Sequence, residues 1–405
     1  MTDFAPLSDA FAADPYPFYA ALRDKDGLHY YPEFDIWLAS RFADVAAIAN
    51  DKRMVRSLEE LIPPEEIAAQ KRAGNWHDMP NHSRFVQFSL LDSDGAVHDR
   101  LRGQVFRLFT PVMVANLRAD IEVTIGHLID EVMDRDEIDF VEDLAARIPG
   151  HIIGRLLGVP DEDCPRLRVW SETIVQYFDI DRSDARKALA ETNTTEFYLY
   201  LAALKKERLR APKPDLISDL IAAEQAGHMS EDEFFSTCML ILMAGHGSTI
   251  DVLGSGLHAL LRFPDQQARL RQDPSLLRTA VPEMFRFDSP LPFFHRYAAE
   301  DVEIAGRSFP RGAKIGLLYG AANRDPAQFE RADSFDAARA PNRHLAFGQG
   351  AHFCLGNHPA RLDMEVVFTT LLARFSTLSL TEEPVYKRGL SVRGPKSLKI
   401  ALRPA

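Results

Sequence analysis

Phe347-Gly348-Gln349-Gly350-Ala351-His352-Phe353-Cys354-Leu355-Gly356 sets a single thiol in a glycine-punctuated loop. Gly348 and Gly350 permit backbone conformations and close approaches that a Cβ would forbid. Beyond the loop, Leu362, Val366, Val367, Leu371 and Leu372 recur at helical spacing. The stretch therefore reads as a loop delivering Cys354 to the start of an amphipathic helix. A thiolate in that place gains from the positive end of the helix dipole and from amides without helical partners.

A cysteine so placed can be a nucleophile, a metal ligand or a packed small residue. A nucleophile needs a base, an orienting third group and an oxyanion hole; His352 is near, but nothing adjacent supplies the third group. Zinc or an iron-sulfur cluster needs more thiols, and Cys164 and Cys238 lie far away with no CxxC spacing. A macrocycle that brings four nitrogens needs one axial protein ligand, and cysteine thiolate is a known one for haem. The context favours a ligand.

FGQGAHFCLG resembles the haem-binding signature of the cytochrome P450 superfamily, FxxGxxxCxG, with every fixed position present. The resemblance assigns Phe347, Gly348, Cys354 and Gly356 to the haem loop and Cys354 to the iron of haem b. Other landmarks follow in order from about residue 15 to the C-terminus. Glu283-Met284-Phe285-Arg286 matches Glu-x-x-Arg, whose charges share a helix face, and Arg339 in FDAAR is its third member; the implied role of the trio is structural. His98 and Arg102 lie one helical turn apart, as two donors to one carboxylate must. The resemblance makes them partners of the haem propionates, together with Arg296 and His352, with His344 as a fifth candidate.

Before the Glu-x-x-Arg segment, Ser230-Glu231-Asp232-Glu233 reads as a capping box. It opens a helical pattern that runs to about Phe263, where Pro264 stops it. At 1.5 Å per residue this spans roughly 50 Å. Its centre reads Ala244-Gly245-His246-Gly247-Ser248-Thr249, where two glycines and two alcohols invite a local kink. In the family this helix crosses the oxygen-binding face of the haem, and an acid followed by an alcohol relays protons there. Here Gly247 occupies the acid position and Ser248 the alcohol position. A hydroxyl still donates and accepts. A water chain, His246, Asp251 or the substrate would have to replace the missing carboxylate; a shifted register would make Thr249 the alcohol.

Length and composition agree. The 405 residues carry a net charge of −12, with charges interspersed, which argues against nucleic acid or an anionic membrane as the main partner. The N-terminal stretch has no apolar run long enough to span a bilayer and no signal-peptide core, and three cysteines without a pairing pattern suit a reducing compartment. The expectation is a soluble, cytoplasmic protein. No linker or repeat divides the chain, so residues 1–405 read as one domain. The resemblance implies a mainly α fold with a small β lobe near the N-terminus, a helix-rich triangular prism around a buried haem. Short strands are expected at Leu28–Tyr31 and Ile36–Ala39, with helices from Pro15 through Leu22, from Met113 to Val132 and from Glu196 to Leu209. Pro282 and Pro359 each predict a kink or a late helix start.

The implied activity is that of a haem-thiolate monooxygenase, which inserts one oxygen atom from O2 into a small-to-medium hydrophobic substrate by hydroxylation or O-dealkylation. No flavin or nicotinamide fingerprint occurs, so electrons are expected from a separate ferredoxin and its reductase, docked near Arg102 and Arg107. Phe85, Phe88, Tyr177, Phe178, Ala244, Phe293 and Phe294 are the candidate pocket residues. Basic residues of the 61–90 segment, including Lys71, Arg72, His77, His82 and Arg84, offer a partner for a substrate carboxylate. Gly247 keeps open a peroxide-using, coupling or isomerising enzyme, and a non-turnover haem sensor is the third reading.

Overall fold

A computed structural model describes residues 4–59 and 61–405. Helices dominate, and they are arranged around one long one. Glu231–Arg262 is a 32-residue helix opened by the expected capping box: the Ser230 hydroxyl accepts from the Glu233 N–H at 3.2 Å while the Glu233 carboxylate accepts from the Ser230 N–H at 2.7 Å. The mid-helix kink does not occur. The Ser248 and Thr249 hydroxyls donate to the carbonyls of Ala244 and Gly245, one turn back, at 2.9 and 3.3 Å, and the helix continues without interruption. It is the one helix among the described residues long and apolar enough to cross a membrane, and 78% of its apolar window is buried inside the protein.

Two apolar cores meet on this helix. Phe234 through Met243 join the core built with Trp170, Phe197, Leu201 and Leu220. Ile250 through Leu260 join a second core with Ile125, Phe285, Val367 and Phe368. Residues 244–249 fall between the two and belong to neither. That gap, in the middle of an otherwise buried helix, is what positions the site.

The strands at Leu28–Tyr31 and Ile36–Ala39 form as their aromatic and β-branched content predicts, pairing antiparallel with Leu28 opposite Ala39. The lobe is not confined to the N-terminus, however. Its strands run in the order Leu28–Tyr31, Ile36–Ala39, Lys314–Leu318, Phe293–Ala298 and Met54–Val55, so strands from both halves of the chain build one sheet. Ile36–Ala39 runs parallel to Lys314–Leu318, and Tyr297 pairs with Lys314 in the neighbouring antiparallel ladder. A second sheet joins Glu137–Asp139, Lys399–Pro404 and Phe375–Leu380.

The remaining helices refine the expectations. The first is Asp9–Ala13, capped by Ser8, and Tyr16–Lys25 follows. The Met113–Val132 pattern is two helices, Pro111–Asn116 and Arg118–Asp130, parted at Leu117. Glu196–Leu209 lies within a 27-residue helix, Asp184–Arg210, capped by the Ser183 hydroxyl. Pro282 sits inside Leu277–Phe287. Pro359 falls in the first turn of Asn357–Arg374, where a missing N–H costs nothing.

Candidate active site

The cysteine loop is held by its own backbone. Cys354 N–H donates to the Phe347 carbonyl at 2.8 Å, and Gly348 N–H to that of Leu345 at 2.9 Å. Gly350, at φ +75°, is obligatory twice over, because a Cβ there would lie 2.4 Å from the Ala49 carbonyl oxygen. Gly356 ends the loop as N-cap of Asn357–Arg374, and the Asn357 amide donates to the Cys354 carbonyl at 2.9 Å. The Cys354 thiol is free. Burial pushes its pKa up, and the Gly356 N–H, Arg102 and Arg361 oppose that by favouring the thiolate.

In the middle of the long helix Ala244 is exposed despite its central position, and Ser248, one turn on, is half-buried. At Gly247 a Cβ would meet no atom within 4 Å. His246, a candidate proton source, points elsewhere. It is 1% exposed, its Cε1 lies 3.0 Å from where a Gly150 Cβ would be, and its Nε2 has no partner. Burial, with Arg168 and His151, holds it neutral, down to about 4. A histidine packed against Ile148–Leu157 cannot serve the open side of the helix. Asp251 is likewise taken, bonded to Lys387 Nζ at 2.6 Å and fully buried. Thr249 is buried while Ser248 is not, so the register that makes Ser248 the alcohol fits the geometry.

A second group converges beside the loop. The His98 and His352 rings lie 4.5 Å apart, and His352 Nε2 is 3.2 Å from Asp94 Oδ1. Burial and Arg296 hold His352 below the ordinary histidine range despite that bond. Arg296 is 3% exposed, has no carboxylate within 4.0 Å among the described residues, and donates to the His295 carbonyl at 2.9 Å. Burial and the neighbouring Arg56 pull its pKa to about 10. A buried guanidinium without an anion is costly unless a ligand supplies one. Arg102 donates to the Phe353 carbonyl at 2.8 Å, beside the thiol. His344 does not join this group. It stacks on Phe285, accepts from Ala346 N–H at 3.2 Å, and burial, with Arg361 and Arg286, holds it neutral, down to about 3.

These features fit haem b: one thiol with a thiolate-favouring surround, an open helix face, and an unpaired buried cation next to two imidazoles. Sequence reading missed Asp94 and Arg56, which organise the polar end. Asp94 accepts from the Arg56 and Ser57 N–H groups at 2.8 Å each, and Arg56 pairs with Asp92 at 2.5 Å. Asp94 sits at the N-cap of Gly95–Phe106, a position its place before Gly95 could have suggested.

The Glu283 trio forms as the pattern proposes. Arg286 and Glu283 are both fully buried and paired at 2.7 Å, and Arg339 Nε reaches both Glu283 oxygens at 3.0 Å. Arg286 also donates to the carbonyls of Asn323, Ala332 and Ser334. The trio thereby ties the Leu277–Phe287 helix to the segment that leads into the cysteine loop.

Of the pocket candidates, Phe85, Tyr177 and Phe178 come together around His82 and Trp76, with ring centroids 5.1 to 6.4 Å apart. Phe294 lies 6.3 Å from Tyr319, whose hydroxyl is 3.6 Å from where a Gly348 Cβ would be. Phe293 packs instead in the cluster of Phe11, Tyr19, Leu38 and Leu390, because strand alternation sends it to the face opposite Phe294. Phe88 is half-buried and joins none of the apolar cores among the described residues.

The fold and the site define a haem-thiolate protein. The sequence profile of the cytochrome P450 family matches residues 178–402. The polyketide biosynthesis cytochrome P450 PksS of Bacillus subtilis (strain 168) is 34% identical, over 98% of each chain. The structure of P450BioI in complex with an acyl carrier protein ligated with hexadec-9Z-enoic acid superposes with a TM-score of 0.90 at 30% identity, covering 98% of this chain and 99% of that one. The myxobacterial cytochrome P450 CYP267B1, in complex with myristic acid, also superposes at 0.90, with 34% identity over 98% of each chain. The chain belongs to the cytochrome P450 superfamily, among bacterial members, and is an oxidoreductase that uses haem b.

Proposed function

We propose that this P450 inserts one atom of O2 into a hydrophobic organic substrate, with electrons from a separate ferredoxin and reductase, in the cytoplasm. The observation that carries this reading is the open face of Ala244, Gly247 and Ser248 on the long helix, together with the free, half-buried thiol of Cys354. Bound haem supplies dioxygen activation, which thiolate ligation favours. The protein supplies the rest. Cys354 would hold the haem iron. Arg296, His98, His352 and Arg102 would hold the two propionates, and the Glu283 trio fixes the segment that carries the loop.

Proton supply is where this chain departs from its family. The Ser248 hydroxyl proton is engaged with the Ala244 carbonyl, so it becomes available by rotation, while its lone pairs stay open to water. With His246 and Asp251 both turned away, water beside Gly247 is the proton source that this arrangement supports. The docking face is beside the thiol. A cavity of about 120 Å³ there is lined by Arg102, Phe106, Phe109, Phe353 and His358 as well as Cys354. Phe106, Val112 and Met113 are exposed large apolar residues in the adjoining sequence. Arg107, the other expected docking residue, pairs with Asp219 at 3.1 Å, which leaves Arg102 the better-placed cation.

Gly247 favours one alternative, an enzyme that uses peroxide or couples and isomerises without the acid relay. The deciding experiment is turnover of a ligand that shifts the ferric spin state. Product with ferredoxin, reductase and O2, and little with peroxide alone, supports monooxygenation. Product with peroxide alone overturns it.

A further inference from the structure

Two cations, Arg182 and Lys314, stand without counter-ions. Arg182 lies in residues 178–183, the lid that joins the helices Cys164–Tyr177 and Asp184–Arg210. Asn75 latches that lid: its side chain donates to the Arg182 carbonyl and to Asp184 Oδ1, both at 2.9 Å, and its own carbonyl accepts from the Tyr177 hydroxyl. Across the lid, the Asp179 carboxylate accepts from the Leu390 and Ser391 N–H groups at 3.0 and 2.9 Å. The Arg182 side chain, thus held, lies over the Trp76 ring at 4.8 Å and donates only to the Tyr177 carbonyl, at 3.3 Å. Lys314, on the central strand opposite Tyr297, has its Nζ 6.0 Å from the Tyr297 ring and no hydrogen-bond partner.

Among the described residues neither cation has a carboxylate within 4.0 Å. The acids of this region are engaged elsewhere: Asp179 with the Leu390 and Ser391 N–H groups, Asp35 with the Tyr30 hydroxyl at 2.8 Å, and Asp92 with Arg56. Burial, with Arg182 and Arg56, pulls Lys314 down to about 8. Burial holds His295 neutral, and the charges of Arg56, Lys314, Arg296 and Arg182 all add to that. His82 adds a buried polar group to the same region. It is fully buried, stands 5.3 Å from Trp76, and neither ring nitrogen has a partner. Arg182 and Lys314 are both half-buried, and a surplus of positive charge at such a site is stabilised most directly by an anion.

We propose that the substrate is a hydrophobic carboxylic acid whose carboxylate lies between Arg182 and Lys314 while its apolar body follows the Trp76, Phe85 and Phe178 wall. This rests on the monooxygenase reading and narrows it to a substrate class. It differs from the sequence expectation, which looked for the basic partner within residues 61–90. Arg84 pairs with Asp232, His77 lies 3.6 Å from Asp78, and Lys71 and Arg72 are exposed on the Pro64–Ala73 helix, which leaves His82 as the contributor from that segment.

The test uses the haem-loaded protein and a panel of paired ligands, the straight-chain acids from hexanoic to hexadecanoic plus 4-methoxybenzoic acid, each against its primary amide. Affinity is read by ferric spin-state shift and by equilibrium dialysis near neutral pH. The expected result is at least one acid that binds about tenfold more tightly than its amide. Lys314→Met and Arg182→Gln should each remove most of that preference and leave amide affinity within about twofold. Amides that bind as well as their acids, an acid preference unchanged in both variants, or no binding across the panel would each overturn the proposal. Failure of the haem-thiolate reading would register separately, as a wild-type ferrous carbonyl spectrum lacking thiolate character whatever ligand is added.

Discussion

Glu283→Gln changes almost no volume and removes one buried charge. The Glu283 carboxylate accepts from Arg286 Nε and Nη2 at 2.7 and 2.8 Å, from Arg339 Nε at 3.0 Å, from the Asp336 N–H at 3.0 Å and from the Asn342 amide at 3.1 Å. A glutamine replaces one acceptor oxygen with an NH2 that faces donors, and leaves the Arg286 guanidinium, which has no solvent contact, without its anion. Breaking a buried pair in this way costs about 3–5 kcal/mol. With an unfolding entropy of about 2.1 cal/mol/K per residue over 405 residues, the melting entropy is roughly 0.85 kcal/mol/K and the expected fall in Tm about 4–6 °C. Calorimetry of the haem-loaded protein measures it. Arg53→Gln, which breaks an exposed pair with Asp51, is the control and should shift Tm by no more than about 1 °C. A Glu283→Gln melt as close to wild type as that control would refute the claim that the trio locks the segment leading to the cysteine loop.

Three further outcomes follow from the site. Gly247→Glu restores an acid where a Cβ meets open space, so the helix should tolerate it; product formed per electron consumed should rise, and an unchanged ratio in a folded variant would show that proton supply does not run past this position. Arg296→Leu removes the buried, unpaired guanidinium, and haem transfer to an acceptor apoprotein should speed up about tenfold; transfer at the wild-type rate would deny Arg296 a propionate role. His246, held neutral down to about 4 in the folded protein, binds a proton in the unfolded chain below about 6.5. Stability should therefore fall as pH drops through that window, and His246→Leu should flatten the slope by up to about 1.4 kcal/mol per pH unit, read by urea melts at several pH values.

What was legible in the sequence was whatever is local. The cysteine loop, the Ser230 capping box and the two N-terminal strands depend on residues within a few positions of each other, and they form where the pattern places them. The Glu283–Arg286 pair is local too, and Arg339 was found because a motif marks it. What was hidden is what the chain assembles over distance. The β lobe draws strands from residues 293–318 to the N-terminal pair, and hydropathy carries no address for that pairing. The direction of His246 depends on which side of the long helix meets Ile148–Leu157, and a position in a six-residue motif does not report it. The resemblance offers His344 as a fifth propionate candidate, yet the turn before Phe347 stacks it on Phe285. Phe293 and Phe294 are neighbours in the chain and opposites in the sheet. Lys314 and Arg182 lie far apart in sequence and carry no motif, so only the folded chain brings their charges to bear on one region.

The central claim is that Cys354 is the proximal ligand of a haem held between the long helix and the cysteine loop. It is tested most directly by the ferrous carbonyl spectrum of the purified protein beside that of Cys354→Ser. A thiolate-type Soret band in the wild type that is lost in the variant, with haem still bound, is the predicted result. The same band in both proteins, or in neither, would contradict it.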